Sequence, residues 1–111
     1  MITTHVLDTS RGAPAAGMSV ILEMRHASEW SAVSRGATDE KGRLAMVDDG
    51  RTLTPGLYRL TFDTGTYLRD LGIAHPFFPE VKVTFQVLEG KEHYHVPLLV
   101  SPFGYSTYRG T

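Results

Sequence analysis

Along much of this chain, apolar and polar residues alternate with a period of two. Tyr58, Leu60 and Phe62 alternate with Arg59, Thr61 and Asp63, and Val81, Val83, Phe85 and Val87 alternate with Lys82, Thr84 and Gln86. Successive side chains of a strand point to opposite faces, so each run predicts a half-buried strand with one wet face. Val20, Leu22 and Met24 predict another, although Ile21 blurs the alternation. Further strands are expected at Thr4–Asp8, Trp30–Thr38, Arg43–Val47, His93–Val100 and Tyr105–Arg109. Turn sequences separate them: Arg11-Gly12-Ala13-Pro14, Asp39-Glu40-Lys41-Gly42, Thr54-Pro55-Gly56 and Glu89-Gly90-Lys91. About eight short strands spaced this way predict an all-β chain, an antiparallel sandwich or barrel.

One segment breaks the period. Within Thr66–Ile73, Leu68 and Leu71 are three apart and Tyr67 and Leu71 four apart, the spacing of one helical face. Thr64 or Thr66 offers an N-terminal cap and Gly72 an end, so one short helix is expected there. His75-Pro76-Phe77-Phe78-Pro79 then has to run extended, because proline cannot continue a helix.

Composition narrows the picture. With 111 residues, one domain spanning 1–111 is expected. A net charge of −1 offers no basic surplus for nucleic acid or an anionic membrane. Cysteine is absent, which removes disulfides, thiolate catalysis and Cys-ligated zinc. No apolar run approaches the roughly 18 residues of a membrane helix. The start, Met1-Ile2-Thr3-Thr4-His5-Val6-Leu7-Asp8, lacks the basic and apolar regions of a secretory signal, so a cytoplasmic location is expected.

His93 and His95, two apart in an expected strand, share one face, while Tyr94, Val96 and Leu98 turn to the core. Two adjacent imidazoles disfavour protonation of one, which suits a general base near neutral pH. The same spacing also fits two surface histidines or a metal pair. The metal reading needs a third ligand; His5 is available and Asp8 is near it in sequence, but no further His or Cys sits at zinc-ligand spacing. On its own strand His5 faces away from Val6, where structural roles are common. Arg43 follows a turn and opens a strand; it reads as a surface charge or as a fixed donor able to stabilise an oxyanion. The last segment, Ser101 to Thr111, is aromatic and polar to its final residue. Either it is a last edge strand with a loose end, or Tyr108, Arg109 and Thr111 with its carboxylate line a pocket. Walker, dinucleotide-binding, Gly-x-Ser-x-Gly and His-Glu-x-x-His motifs are all missing.

Taken together, Thr4-His5-Val6-Leu7-Asp8, Gly12-Ala13-Pro14-Ala15, Gly42-Arg43, Phe78-Pro79-Glu80-Val81, His93-Tyr94-His95-Val96-Pro97-Leu98-Leu99, Ser101-Pro102 and Tyr105-Ser106-Thr107-Tyr108-Arg109-Gly110 resemble the 5-hydroxyisourate hydrolases, the transthyretin-related enzymes of purine catabolism. The resemblance spans His5 to Thr111, and its Tyr-Arg-Gly-Ser/Thr ending is specific because it is fixed to the chain end.

The resemblance implies a transthyretin-like fold of two four-stranded sheets with one short helix. It implies a homotetramer, a dimer of dimers with sites at the dimer–dimer interface, and neither a metal nor an organic cofactor. By position, the catalytic residues would be His5, Arg43 and His95, with Tyr108, Arg109, Gly110 and Thr111 binding a small-molecule substrate. Thr111 stands where the family usually has Ser; it keeps the hydroxyl and adds a methyl. The implied reaction is ring-opening hydrolysis of 5-hydroxyisourate to 2-oxo-4-hydroxy-4-carboxy-5-ureidoimidazoline in urate degradation. No activated nucleophile is evident, which favours direct attack by water. The alternative is a transthyretin-like carrier of small hydrophobic ligands, because a fold alone does not separate the two. A carrier channel, however, has no need of His5, Arg43, His95 or the Tyr-Arg-Gly ending. A purely structural sandwich would lose no activity on deletion of Tyr108–Thr111.

Overall fold

The alternating runs become strands of two stacked sheets in a computed structural model that describes residues 1–111. In chain order these are β1 (Ile2–Asp8), β2 (Ala13–Pro14), β3 (Ser19–His26), β4 (Glu29–Ala37), β5 (Arg43–Val47), β6 (Gly56–Phe62), α1 (Thr64–Asp70), β7 (Val81–Val87), β8 (Tyr94–His95), β9 (Leu98–Ser101) and β10 (Gly104–Thr107). One sheet runs β4-β3-β6-β7 and is antiparallel throughout. The other is built around β1. Successive parts of one edge of β1 pair with β5 and β2, and successive parts of the other with β8 and β9, with β10 outside β9. This sheet is therefore also four strands wide.

Two details differ from the sequence expectation. The sandwich is antiparallel except where β8 and β9 run parallel to β1. Alternation reports which face is buried and carries no information about a neighbour's direction. The expected strand His93–Val100 is also interrupted: His93 lies outside it, and pairing lapses at Val96-Pro97, where proline has no N–H to give. The register survives the gap, from Thr3 opposite His95 to Val6 opposite Leu98, and the buried Thr4 hydroxyl donates to the Val96 carbonyl at 2.6 Å.

Between the sheets, Ile2, Val6, Val20, Leu22, Leu60, Phe62, Leu98 and Val100 belong to one buried cluster. On β1 this leaves Ile2, Thr4, Val6 and Asp8 inside and Thr3, His5 and Leu7 on the outer face. Tyr94 and Val96 are likewise buried, so His95 is turned outward beside them.

The helix starts earlier than the leucine spacing suggests. Asp63, not Thr64 or Thr66, caps it, accepting from the Thr66 N–H at 3.1 Å. The buried Thr64 hydroxyl instead donates to the Phe78 carbonyl, tying the helix to the extended His75–Pro79 segment. At the other end the Gly72 N–H bonds to the Arg69 carbonyl and that of Ile73 to Leu68, which closes the helix. Tyr67 fastens it to β1 by donating to Asp8 Oδ2 at 2.8 Å. Burial alone would raise the Asp8 carboxyl, but hydrogen bonds from Ser10, Tyr67 and Arg11 outweigh it and hold the group below the usual carboxylate range.

Candidate active site

The outer face of the β1 sheet carries the chemistry. In the β1–β5 register His5 sits opposite Arg43, and in the β1–β8 register Thr3 sits opposite His95. The central strand thus brings together side chains that are 38 to 92 positions apart in pairs such as His5 with Arg43 and Thr3 with His95. Thr3, Thr4, Asp39, Arg43, Leu44, Ala45, His93, His95 and Thr111 line an open depression of about 410 Å³.

The turn before β5 aims Arg43. Asp39 accepts from the backbone N–H groups of Lys41 and Arg43, both at 2.9 Å, and the Arg43 bond in particular holds the Asp39 carboxyl below its ordinary value. Gly42 closes the turn at φ +78°, where any Cβ would collide with the carbonyl oxygen of Val6. Gly42→Ala is therefore expected to destabilise the protein by about 1–3 kcal/mol through backbone strain alone. A lowered urea midpoint would show it; an unchanged midpoint would mean the turn relaxes freely.

His5 grips the same turn, with Nε2 2.9 Å from the Lys41 carbonyl. A carbonyl only accepts, so Nε2 carries the proton and neutral His5 keeps its lone pair on Nδ1. The neutral form of His95 is favoured: burial lowers its pKa first, and His93, His5 and Arg43 add like-charge repulsion. Its Nδ1 lies 2.8 Å from the Thr3 hydroxyl, which is also 2.8 Å from His93 Nε2.

The tail docks at its penultimate residue. After β10 the Gly110 N–H donates to the His95 carbonyl at 2.8 Å, and a Cβ at Gly110 would press into the His95 ring. Gly110 thereby delivers Thr111 to the depression. Tyr108 and Arg109 turn elsewhere: with Val83, Phe85 and His95 they line a neighbouring depression of about 270 Å³. Arg109 pairs with Glu92 at 2.9 Å and lies over the Tyr94 ring. One chain therefore unites Arg43, His95 and Thr111, sets His5 beside Arg43, and leaves Tyr108 and Arg109 outside that depression. A cavity of about 440 Å³ between Ala13-Pro14 and the helix contains no histidine, and its Arg11 and Tyr67 are already bound to one another and to Asp8.

No group of three or more His, Cys, Asp or Glu side chains is placed to hold a metal ion. No helix is long and apolar enough to cross a membrane. Thr3 and Asp39 escaped sequence reasoning. Thr3 is two residues before His5 and so on its face, but its meeting with His93 and His95 depends on a parallel register that no local pattern displays.

A transthyretin-like sandwich with a titratable cluster on its outer sheet defines the class of protein. The sequence profile described as HIUase/Transthyretin family matches residues 2–110, and the chain belongs to that family. It is 41% identical over 111 residues to the 5-hydroxyisourate hydrolase of Salmonella dublin, covering all of this chain and 81% of that one. The solved 5-hydroxyisourate hydrolase of Klebsiella pneumoniae superposes with a TM-score of 0.85 at 33% identity, covering 99% of this chain and 98% of that one. Sea bream transthyretin, solved in complex with thyroxine, superposes at 0.90 with 30% identity, covering 98% and 93%. Backbone similarity is thus as high to a hormone-bound protein as to a hydrolase, and side chains have to decide between them.

Proposed function

We propose that this protein hydrolyses 5-hydroxyisourate, opening its six-membered ring by attack of water on a ring carbonyl, as a step of urate degradation. The observation that carries this reading is the set His95, Arg43 and Thr111 in one depression with His5 alongside. A carrier of hydrophobic ligands has no use for a histidine kept neutral beside a guanidinium. The hydrolase names of the Salmonella and Klebsiella relatives support the same substrate.

In this reading His95 takes a proton from water through Nε2, and His5 holds the same water through Nδ1. The oxygen adds to the carbonyl, and Arg43 stabilises the tetrahedral oxyanion. Collapse breaks the ring carbon–nitrogen bond, the departing nitrogen takes the proton back from His95, and the new carboxylic acid ionises. Thr111 orients a polar edge of the ring. Tyr108 and Arg109 act where a second subunit completes the site, in a homotetramer with its sites between dimers. The open shape of the depression and the exposure of Phe77 and Phe103 support that assembly.

The test is the ultraviolet decay of 5-hydroxyisourate generated in place by a urate-oxidising enzyme. Addition of this protein is expected to accelerate the decay in proportion to its concentration. Decay at the spontaneous rate, together with saturable binding of an apolar ligand, would favour the carrier.

A further inference from the structure

We infer that Thr3 is a positioning residue for the reaction: its hydroxyl, shared between His93 and His95, sets which ring nitrogen of His95 is free to act as the base. This rests on the hydrolase reading and deepens it. The geometry leaves few choices. The Thr3 oxygen is 2.8 Å from His93 Nε2 and 2.8 Å from His95 Nδ1, and a hydroxyl has only one proton to donate. At least one of the two rings therefore donates to Thr3, whose oxygen has lone pairs enough to accept from both.

When His93 is neutral with its proton on Nδ1, its Nε2 accepts from Thr3. His95 Nδ1–H then donates to the Thr3 oxygen, and His95 Nε2 presents a lone pair. The Thr3 contact thus occupies Nδ1 of His95 and leaves Nε2 as the ring nitrogen turned to the substrate. His93 is exposed, whereas His95 is half-buried.

The charged and titratable groups facing His95 are His93 before its own strand, His5 on β1 and Arg43 on β5, with Asp39 across the depression. On the tail, Arg109 is paired with Glu92. Like-charge repulsion from His93 lowers the His95 pKa, so His93→Gln moves the acid limb of the rate profile to higher pH, whereas loss of the Thr3 hydroxyl lowers the rate itself.

The experiment follows kcat and KM for freshly generated 5-hydroxyisourate from about pH 5.5 to 8.5 in the wild type, Thr3→Val, Thr3→Ser, His93→Gln and His95→Gln. Thr3→Val keeps the shape and loses the hydroxyl, and is expected to lower kcat about tenfold or more with little change in KM. Thr3→Ser should restore most of the rate, and His93→Gln should shift the acid limb upward with little loss of plateau rate. Wild-type kcat and pH profile in Thr3→Val, while His95→Gln is inactive, would overturn the role of Thr3 and leave the base intact. Full activity in His95→Gln would overturn the base assignment and the Thr3 inference with it. If Thr3→Val does not fold, Thr3→Ala decides: wild-type kcat and pH profile in that variant overturn the inference.

Discussion

Replacing His95 with alanine is expected to lower kcat by roughly 10²–10⁴-fold, the range typical for loss of a general base. The residue meets the requirements in order. It faces the depression that holds Arg43 and Thr111. Its ring is fixed by the Thr3 hydroxyl on one side and the Gly110 backbone on the other. Burial and the neighbouring His93, His5 and Arg43 hold its pKa below the ordinary 6.5. His95 acts unprotonated, so the wild-type rate should fall with decreasing pH through an acid limb whose midpoint lies below 6.5. Stopped-flow decay of the substrate across pH checks both statements. Wild-type turnover in His95→Ala would remove the base from this position. A wild-type limb above the ordinary histidine value would assign it to a different group, and strong interaction among the imidazoles would make the limb a property of the cluster.

Arg43→Ala is expected to cost about 10²–10³ in kcat, the usual loss when an oxyanion donor is removed. Guanidinium stays charged at every working pH and presents donors in a fixed fork. Its backbone is held from two directions, by Asp39 on its N–H and by the register that places it opposite His5. Arg43→Lys keeps the charge and loses the fork, so it should recover only part of the rate. The diagnostic is the split between constants: an interaction made in the transition state lowers kcat and kcat/KM together. A raised KM with unchanged kcat would instead make Arg43 a binding residue.

Much of this was readable from side-chain period. The runs at Tyr58 and Val81, the outward turn of His5 and His95 and the inward turn of Tyr94 and Val96 all follow from it. Leucine spacing locates the helix but sets its start two residues and its end three residues too late. Thr64, which looks like a cap, is tied to Phe78, and Asp63 takes its place. What period does not encode is direction and partnership. The parallel pairing of β1 with β8 and β9, and with it the meeting of Thr3 with two histidines, exists only once distant strands choose a register. The tail was divided in a way its composition does not show, with Thr111 entering the depression and Arg109 turning to Glu92.

The central place of β1 also governs how the protein reaches its working state. A strand near the start of the chain, flanked on one edge by residues some 92 positions later, leaves that edge open until almost the whole sequence has been threaded into place. Such long-range closure slows folding. It also makes catalysis a reporter of the last event: in a refolding experiment, hydrolysis can return only when this closure is made, so enzymatic recovery times the docking of β1 separately from the burial of Leu22, Leu60 and Phe62 in the opposite sheet.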